Sequence, residues 1–220
     1  MTLCGNPMPW TITNKIDGCD VDIRVKNANY IEKNIELKQE FFFAHPETKL
    51  RINHIYNSHY SSSPLWDLFG SGGLKIEISY NRSVKVMLGL PYATHRCLIE
   101  PLTRGKHIKK VLLTRYLGFM EGITKSRKEA VKMLMETAKN DVRSVTGRNF
   151  RECMLLMGKV SVNDVTRKDV DMIEYFPMDR VDSWKVEVIR EIIDVKNQTA
   201  KIENFEIEEL ETILNYLCTS

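Results

Sequence analysis

The chain has 220 residues, of which 43% are hydrophobic, enough to bury a core as one domain or two small ones, which excludes a chain disordered throughout. Its longest apolar runs, VMLGL and MLLMG, fall far short of the roughly 20 residues a bilayer span requires, and no basic stretch leading into an apolar one opens the sequence. The expectation is a soluble intracellular chain, cytoplasmic or nuclear, with no membrane partner.

The net charge of +3 conceals a strong division. Residues 1–81 carry 8 Lys and Arg against 9 Asp and Glu, residues 82–151 carry 16 against 5, and residues 152–220 carry 8 against 15, or −1, +11 and −7. A block at +11 concentrates positive potential where a polyanion could be held. The five cysteines, Cys4, Cys19, Cys97, Cys153 and Cys218, are scattered, odd in number and free of any Cys-x-x-Cys pair. They read as reduced thiols, not as a disulfide framework or a zinc site.

In chain order, PMPWTITNKIDGCDVDI carries Pro7, Pro9 and Gly18 around an alternating WTITNKI, which predicts an edge strand or hairpin arm. From Asn29 the spacing of Ile31, Ile35 and Phe42, with Lys and Glu between, predicts a helix with one apolar face. HPETKLRINHIYNSHY restarts a helix with Pro46 in its first turn, giving an antiparallel pair with the one before. SSSPLWDLFGSGG interrupts the pattern and is the hinge candidate; Trp66 and Phe69 within it should fold back onto a core.

LKIEISYNRSVKVMLG reads as strand early or helix late, with helix favoured and Gly89 and Pro91 as the stop. Thr94 is a candidate cap for THRCLIEPL. HIKKVLLTRYLGFMEGIT places Ile108, Leu112, Tyr116, Phe119 and Ile123 on one face, with Lys106, Lys109, Lys110 and Arg115 largely off it. Ser126 and Glu129 have capping-box spacing and would open a helix over SRKEAVKMLMETAKNDVRS. The tail, residues 166–220, suggests one or two acidic amphipathic helices with Trp184, Val188, Ile192, Ile207, Leu210 and Leu214 inward.

The predicted fold is therefore mainly α: a helical pair over residues 1–60 with a small β element near the N-terminus, a connector at 61–73, a basic multi-helix bundle at 74–165 and an acidic helical tail at 166–220. Within the bundle, residues 90–115 hold six Lys and Arg, two His and one acid. Arg96, Arg104, Lys106, Lys109, Lys110 and Arg115 are the candidate phosphate contacts, with His107 and Tyr92 as weaker candidates for sugar or base. Taken singly, each is as readily a solubilising side chain.

Signs of chemistry are few. No Asp-Asp pair offers the carboxylates that share divalent metals in nucleotide polymerisation. Asp17, Asp20 and Asp22 lack the Gly and Glu of a calcium loop and read as a solvated turn. His54 with His59, or His95 with Cys97, supply two ligands each where a closed site needs four. The GSGG at 70–73 reads as a turn, and no nucleophile elbow, phosphate loop or dinucleotide fingerprint is present. No catalytic residue, metal or cofactor is expected.

Four segments, DVDIRVKNANYIEKNIELKQEFFFAHPETKLRINHIYNSHYSSSPLWDLFG, YNRSVKVMLGLPYATHRCLIEPL, HIKKVLLTRYLGFMEGITKSRKEAVKMLM and DVRSVTGRNFRECMLLMGK, resemble consecutive blocks of non-LTR (LINE-type, jockey-like) retrotransposon reading frames, downstream of the reverse-transcriptase palm. The resemblance covers roughly residues 10–165 in the family's order. It departs at Tyr80, where tryptophan is expected before NRS, and at Cys97, where an aromatic usually follows THR. It implies that residues 29–60 form a thumb-like pair, that SPLWDLFG is the connector after it, and that residues 82–151 form the post-thumb basic region. It further implies that the metal-binding aspartates belong to an upstream palm, so this chain would be non-catalytic and would grip RNA or DNA, single strand or hybrid duplex. The alternative is a transposon-derived protein-interaction module, with Phe41, Phe42, Phe43, Trp66 and Trp184 as surface that once packed on the palm.

Overall fold

The structure, a computed structural model, describes residues 21–41, 44–57, 60, 62–103, 107–159, 170, 182–199 and 204–219. Among them the regular elements are all helical: α1 (Val21–Glu40), α2 (Pro46–Asn57), α3 (Ser71–Leu88), α4 (Ile99–Leu102), α5 (Ile108–Thr124), α6 (Glu129–Asn140), α7 (Val145–Leu156), α8 (Ser183–Thr199) and α9 (Asn204–Thr219), with single 3-10 turns at Ser63–Leu65 and Arg96–Leu98. The fold is mainly α, as the periodicity predicts. The proposed β element at WTITNKI lies outside the described residues. No described helix is long and apolar enough to cross a membrane.

α1 begins at Val21, eight residues before the predicted start, with Asp22 in its first turn, where a carboxylate meets the positive end of the helix dipole. Its inward face also differs from the one predicted. Ile23, Tyr30 and Leu37 are buried together with Lys26 and Asn34, whereas Ile35 is 58% exposed. The side chain of Ile31 and all of Phe42 lie outside the described residues. α2 goes further: its buried positions are Lys49, Asn53 and Asn57, while Ile55 and Tyr56 face outward.

Polar contacts compensate this inversion. Ser83 Oγ lies 2.6 Å from Asn34 Oδ1 and 2.8 Å from Asn53 Oδ1, and Asn57 Nδ2 donates to Asn53 Oδ1 at 2.6 Å. The α1–α2–α3 seam is thus held by a buried amide and hydroxyl network, which satisfies groups that would be costly to bury alone.

The connector predicted as a hinge is tied down instead. Trp66 and Leu68 are buried in the core. Asn149 of α7, itself 0% exposed, donates from Nδ2 to Trp66 O at 2.7 Å and accepts from Leu68 N–H at 3.1 Å. Arg148 Nη2 reaches Asp67 Oδ2 at 2.9 Å beside them. The glycines serve proximity: a Cβ on Gly73 would stand 2.0 Å from Leu68 O, so the first turn of α3 can lie against the connector only without a side chain there. Trp66 therefore belongs to the core, not to an outward face, and Phe69 packs partly buried against it.

α3 is a helix throughout and stops where Gly89 and Pro91 predict. Gly89 adopts φ 66°, Leu90 N–H bonds Lys85 O at 2.8 Å and Gly89 N–H bonds Val86 O at 3.3 Å, the two reverse bonds of a Schellman ending. Thr94 does not cap the next element: its hydroxyl donates to Pro91 O at 2.6 Å, and His95 takes the cap position of the 3-10 turn leading into α4.

α5 occupies the predicted span, with its buried face rotated. Ile108, Leu112, Leu113, Tyr116, Leu117 and Met120 are inward, Phe119 is exposed and Ile123 is only partly covered. The helix predicted over 126–144 is shorter at both ends, running only from Glu129 to Asn140. Ser126 Oγ accepts from Lys128 N–H in a turn, and α6 starts at Glu129 with no side-chain cap. The effective cap is Ser144, whose Oγ accepts from Gly147 N–H at 2.8 Å to open α7.

In the tail, α8 buries Val186, Ile189, Ile192 and Ile193, with Val188 partly covered, but leaves Trp184 55% exposed; α9 buries Leu214 and packs Leu210 partly. The Ile207 side chain is outside the described residues. Buried residues from Ile23 to Cys218 form one hydrophobic cluster, so described parts of all the predicted regions except the connector's polar tips share a core. Cys97, Cys153 and Cys218 are free thiols, and burial pushes Cys153 up to about 12.

Candidate functional site

The predicted phosphate contacts separate into groups. Arg104 and Lys106 lie outside the described residues. Arg96, Lys109 and Lys110 turn toward buried acids. Glu77 sits in the inward stripe of α3, 1% exposed, and a carboxylate there is tolerable only with partners. Lys109 Nζ lies 2.8 Å from Glu77 Oε2 and Arg96 Nη2 lies 3.4 Å from Oε1. Lys110 Nζ lies 3.0 Å from Glu100 Oε1, another buried acid. These three cations balance charge inside the fold.

His107 completes that cluster. It is 0% exposed, caps α5 by accepting the Lys109 N–H at Nδ1, and stands edge-on to the Tyr80 ring with centroids 5.9 Å apart. Because Nδ1 accepts, the neutral ring carries its proton on Nε2, 3.9 Å from Glu77 Oε1. Burial pushes its pKa down to about 4, with Glu77 opposing and Lys109, Arg96 and Lys110 adding to the depression. The imidazole is a buried cap of α5, not an exposed contact.

Like Arg96, Arg115 on α5 is exposed. Its guanidinium lies 5.8 Å from the centroid of Tyr60, over which Lys26 Nζ also sits at 4.7 Å. The Tyr60 hydroxyl is hydrogen-bonded to that of Tyr30. Burial first, and Arg115 second, hold Lys26 down to about 8. Two cations thus share one aromatic ring between α5 and α1, Lys26 buried and Arg115 exposed.

The sequence places Tyr92 among its weaker candidates, and two neighbouring residues escape it. Tyr92 is 80% exposed on the loop after α3. Arg82 Cζ lies 6.0 Å and Lys85 Nζ 5.8 Å from its ring centroid, and Lys85 Nζ donates to Tyr92 O at 2.9 Å. The loop is fixed from below by Leu90, by the Thr94–Pro91 bonds, and by His95 N–H bonding Cys218 O at 2.8 Å. Arg82 and Lys85 stand three apart on α3, and that spacing was the available signal.

A held, outward aromatic ring with two cations within 6.0 Å of its centroid can stack on a base while its neighbours meet phosphates. On the turn into α6, Arg127 and Lys128 are exposed as well. Among the described residues, no three His, Cys, Asp or Glu side chains are grouped to hold a metal ion. Compared with known proteins, the chain matches no family model, no curated protein and no solved structure.

Proposed function

We propose that this chain is a non-catalytic, nucleic-acid-binding part of a LINE-type reverse transcriptase, gripping template or nascent strand through phosphates and acting together with a polymerase palm. The observation that carries the binding is the exposed Tyr92 ring with Arg82 and Lys85 beside it. The family origin rests on the ordered resemblance over residues 10–165. Arg115 and the exposed cations of the +11 segment supply the wider field; Arg96, Lys109 and Lys110 shape it from within.

Fluorescence anisotropy with labelled single-stranded RNA, single-stranded DNA and an RNA–DNA hybrid, across a salt series, tests this. Binding through phosphates makes log K fall linearly with log salt, by roughly 0.7 to 0.9 per neutralised phosphate. Tyr92→Ala, at a surface position, weakens single-strand binding on the order of tenfold. Affinity indifferent to salt would contradict the reading.

A second reading, protein docking, has its own support. α6 buries none of its side chains, and Met133 and Leu134 are 69% and 70% exposed, with Leu155 of α7 also outward at 68%. A partner bound there would show salt-insensitive association lost in Met133→Lys or Leu134→Lys.

A further inference from the structure

A cavity of about 290 Å³ opens among residues of α2, α3, α4 and α8. That is close to the lower bound of about 300 Å³ usual for small-molecule sites. Its walls differ in chemistry. Leu50, Leu88 and Leu102 give an apolar interior, with the Tyr80 ring beside them. Asn53 gives a polar point: its Oδ1 is engaged by Asn57 and Ser83, which leaves its amide N–H groups as what it offers the cavity.

Two guanidinium groups complete the lining. Arg51 is exposed on α2, and Arg190 of α8 is steadied by a bond from Nη2 to Pro101 O, with further donors remaining on its fork. Asp194 also lines the cavity, its Oδ1 3.2 Å from His45 Nε2. Glu47 is the remaining lining carboxylate, and it is exposed.

An apolar slot, an internal amide donor and two guanidinium groups suit a planar heteroaromatic body joined to an anion. We propose that this cavity seats one unstacked nucleotide of a bound strand, its base against Leu50, Leu88 and Tyr80 and its phosphate against Arg51 and Arg190. The inference rests on the nucleic-acid reading and adds a site to it. Leu88 lines the cavity and Tyr92 follows it by four residues, so at most about 14 Å of chain separates the two, within reach of neighbouring nucleotides of one strand.

The test titrates nucleoside 5′-monophosphates, inorganic phosphate and a labelled single-stranded oligonucleotide into the full chain, into Leu50→Trp, which fills the cavity while leaving its polar groups, and into Arg51→Gln, which alters only an exposed side chain. Circular dichroism checks that each variant is folded. The expected result is saturable monophosphate binding, weakened on the order of tenfold in both variants, with a parallel loss of oligonucleotide affinity. Monophosphates that bind no better than inorganic phosphate, or variants that leave oligonucleotide affinity unchanged, overturn the assignment. If oligonucleotides bind and monophosphates do not, the cavity assignment alone falls; if neither binds, the nucleic-acid reading falls too. Monophosphates that bind where oligonucleotides do not would also overturn it, since the occupant would then be free nucleotide.

Discussion

Lys109 Nζ lies 2.8 Å from Glu77 Oε2, and that carboxylate is 1% exposed. A lysine that reads as an outward phosphate contact is thus the counter-ion of an acid inside the fold. Removing it leaves Glu77 with Arg96, 3.4 Å away and half exposed, and with His107 at 3.9 Å. Lys109→Met is expected to cost about 1 to 3 kcal/mol of stability, less than for a fully buried pair because solvent reaches the lysine. Urea unfolding reads this, and an unchanged midpoint would contradict it.

His107 gives the fold a pH dependence. Its folded pKa, about 4, lies below the ordinary 6.5. Above pH 6.5 the ring is neutral folded or unfolded and contributes no pH dependence. As pH falls below 6.5 the unfolded chain takes up a proton that the folded chain resists, and stability is lost until about pH 4, by about 3 kcal/mol in all. His107→Asn keeps an acceptor at the start of α5 and should unfold with a flatter profile between those two values. Parallel profiles for the two proteins would refute the assignment.

Gly73 and Gly89 are needed for different reasons, and alanine separates them. At Gly89 the positive φ of 66° is the obstacle and nothing crowds a new Cβ, so Gly89→Ala should cost about 1 kcal/mol. At Gly73 a Cβ would meet Leu68 O at 2.0 Å, which requires α3 and the connector to separate. Gly73→Ala should therefore cost clearly more, about 3 kcal/mol or above. Equal thermal shifts for the two variants would contradict this geometry.

Asn149 fastens the connector. Asn149→Ala strips the Trp66 carbonyl and the Leu68 N–H of their side-chain partner in a buried setting, an expected loss of about 2 to 4 kcal/mol. Hydrogen exchange at the Leu68 amide should quicken at the same time. Protection equal to wild type would show that the connector is held by other means.

Helix positions were largely legible where strong local signals coincide. Gly89 ends α3, Pro46 opens α2, and the span of α5 follows its apolar repeat. The inward faces were less so, because hydropathy assigns polar residues to solvent. Around Glu77 the order is inverted: Ile76 is 0% exposed, Glu77 1% and Ile78 54%. Lys26, Asn34 and Asn53 are likewise buried, each with a partner far away in sequence that no local window contains, and Asn57 is buried against Asn53 one turn before it. The same blindness moved the candidate interface. A local charge count marks Lys109 and Lys110 as readily as Arg82 and Lys85, and only tertiary placement shows which cations meet a buried carboxylate and which lie beside Tyr92.

The most direct test is the salt slope of oligonucleotide binding by the wild type against Arg82→Gln/Lys85→Gln. If these two side chains neutralise phosphates beside Tyr92, the wild type binds with a clear negative slope and the double variant loses about 1.4 to 1.8 units of it. A wild type that ignores oligonucleotides in dilute buffer, or a double variant with the same slope, would contradict the account.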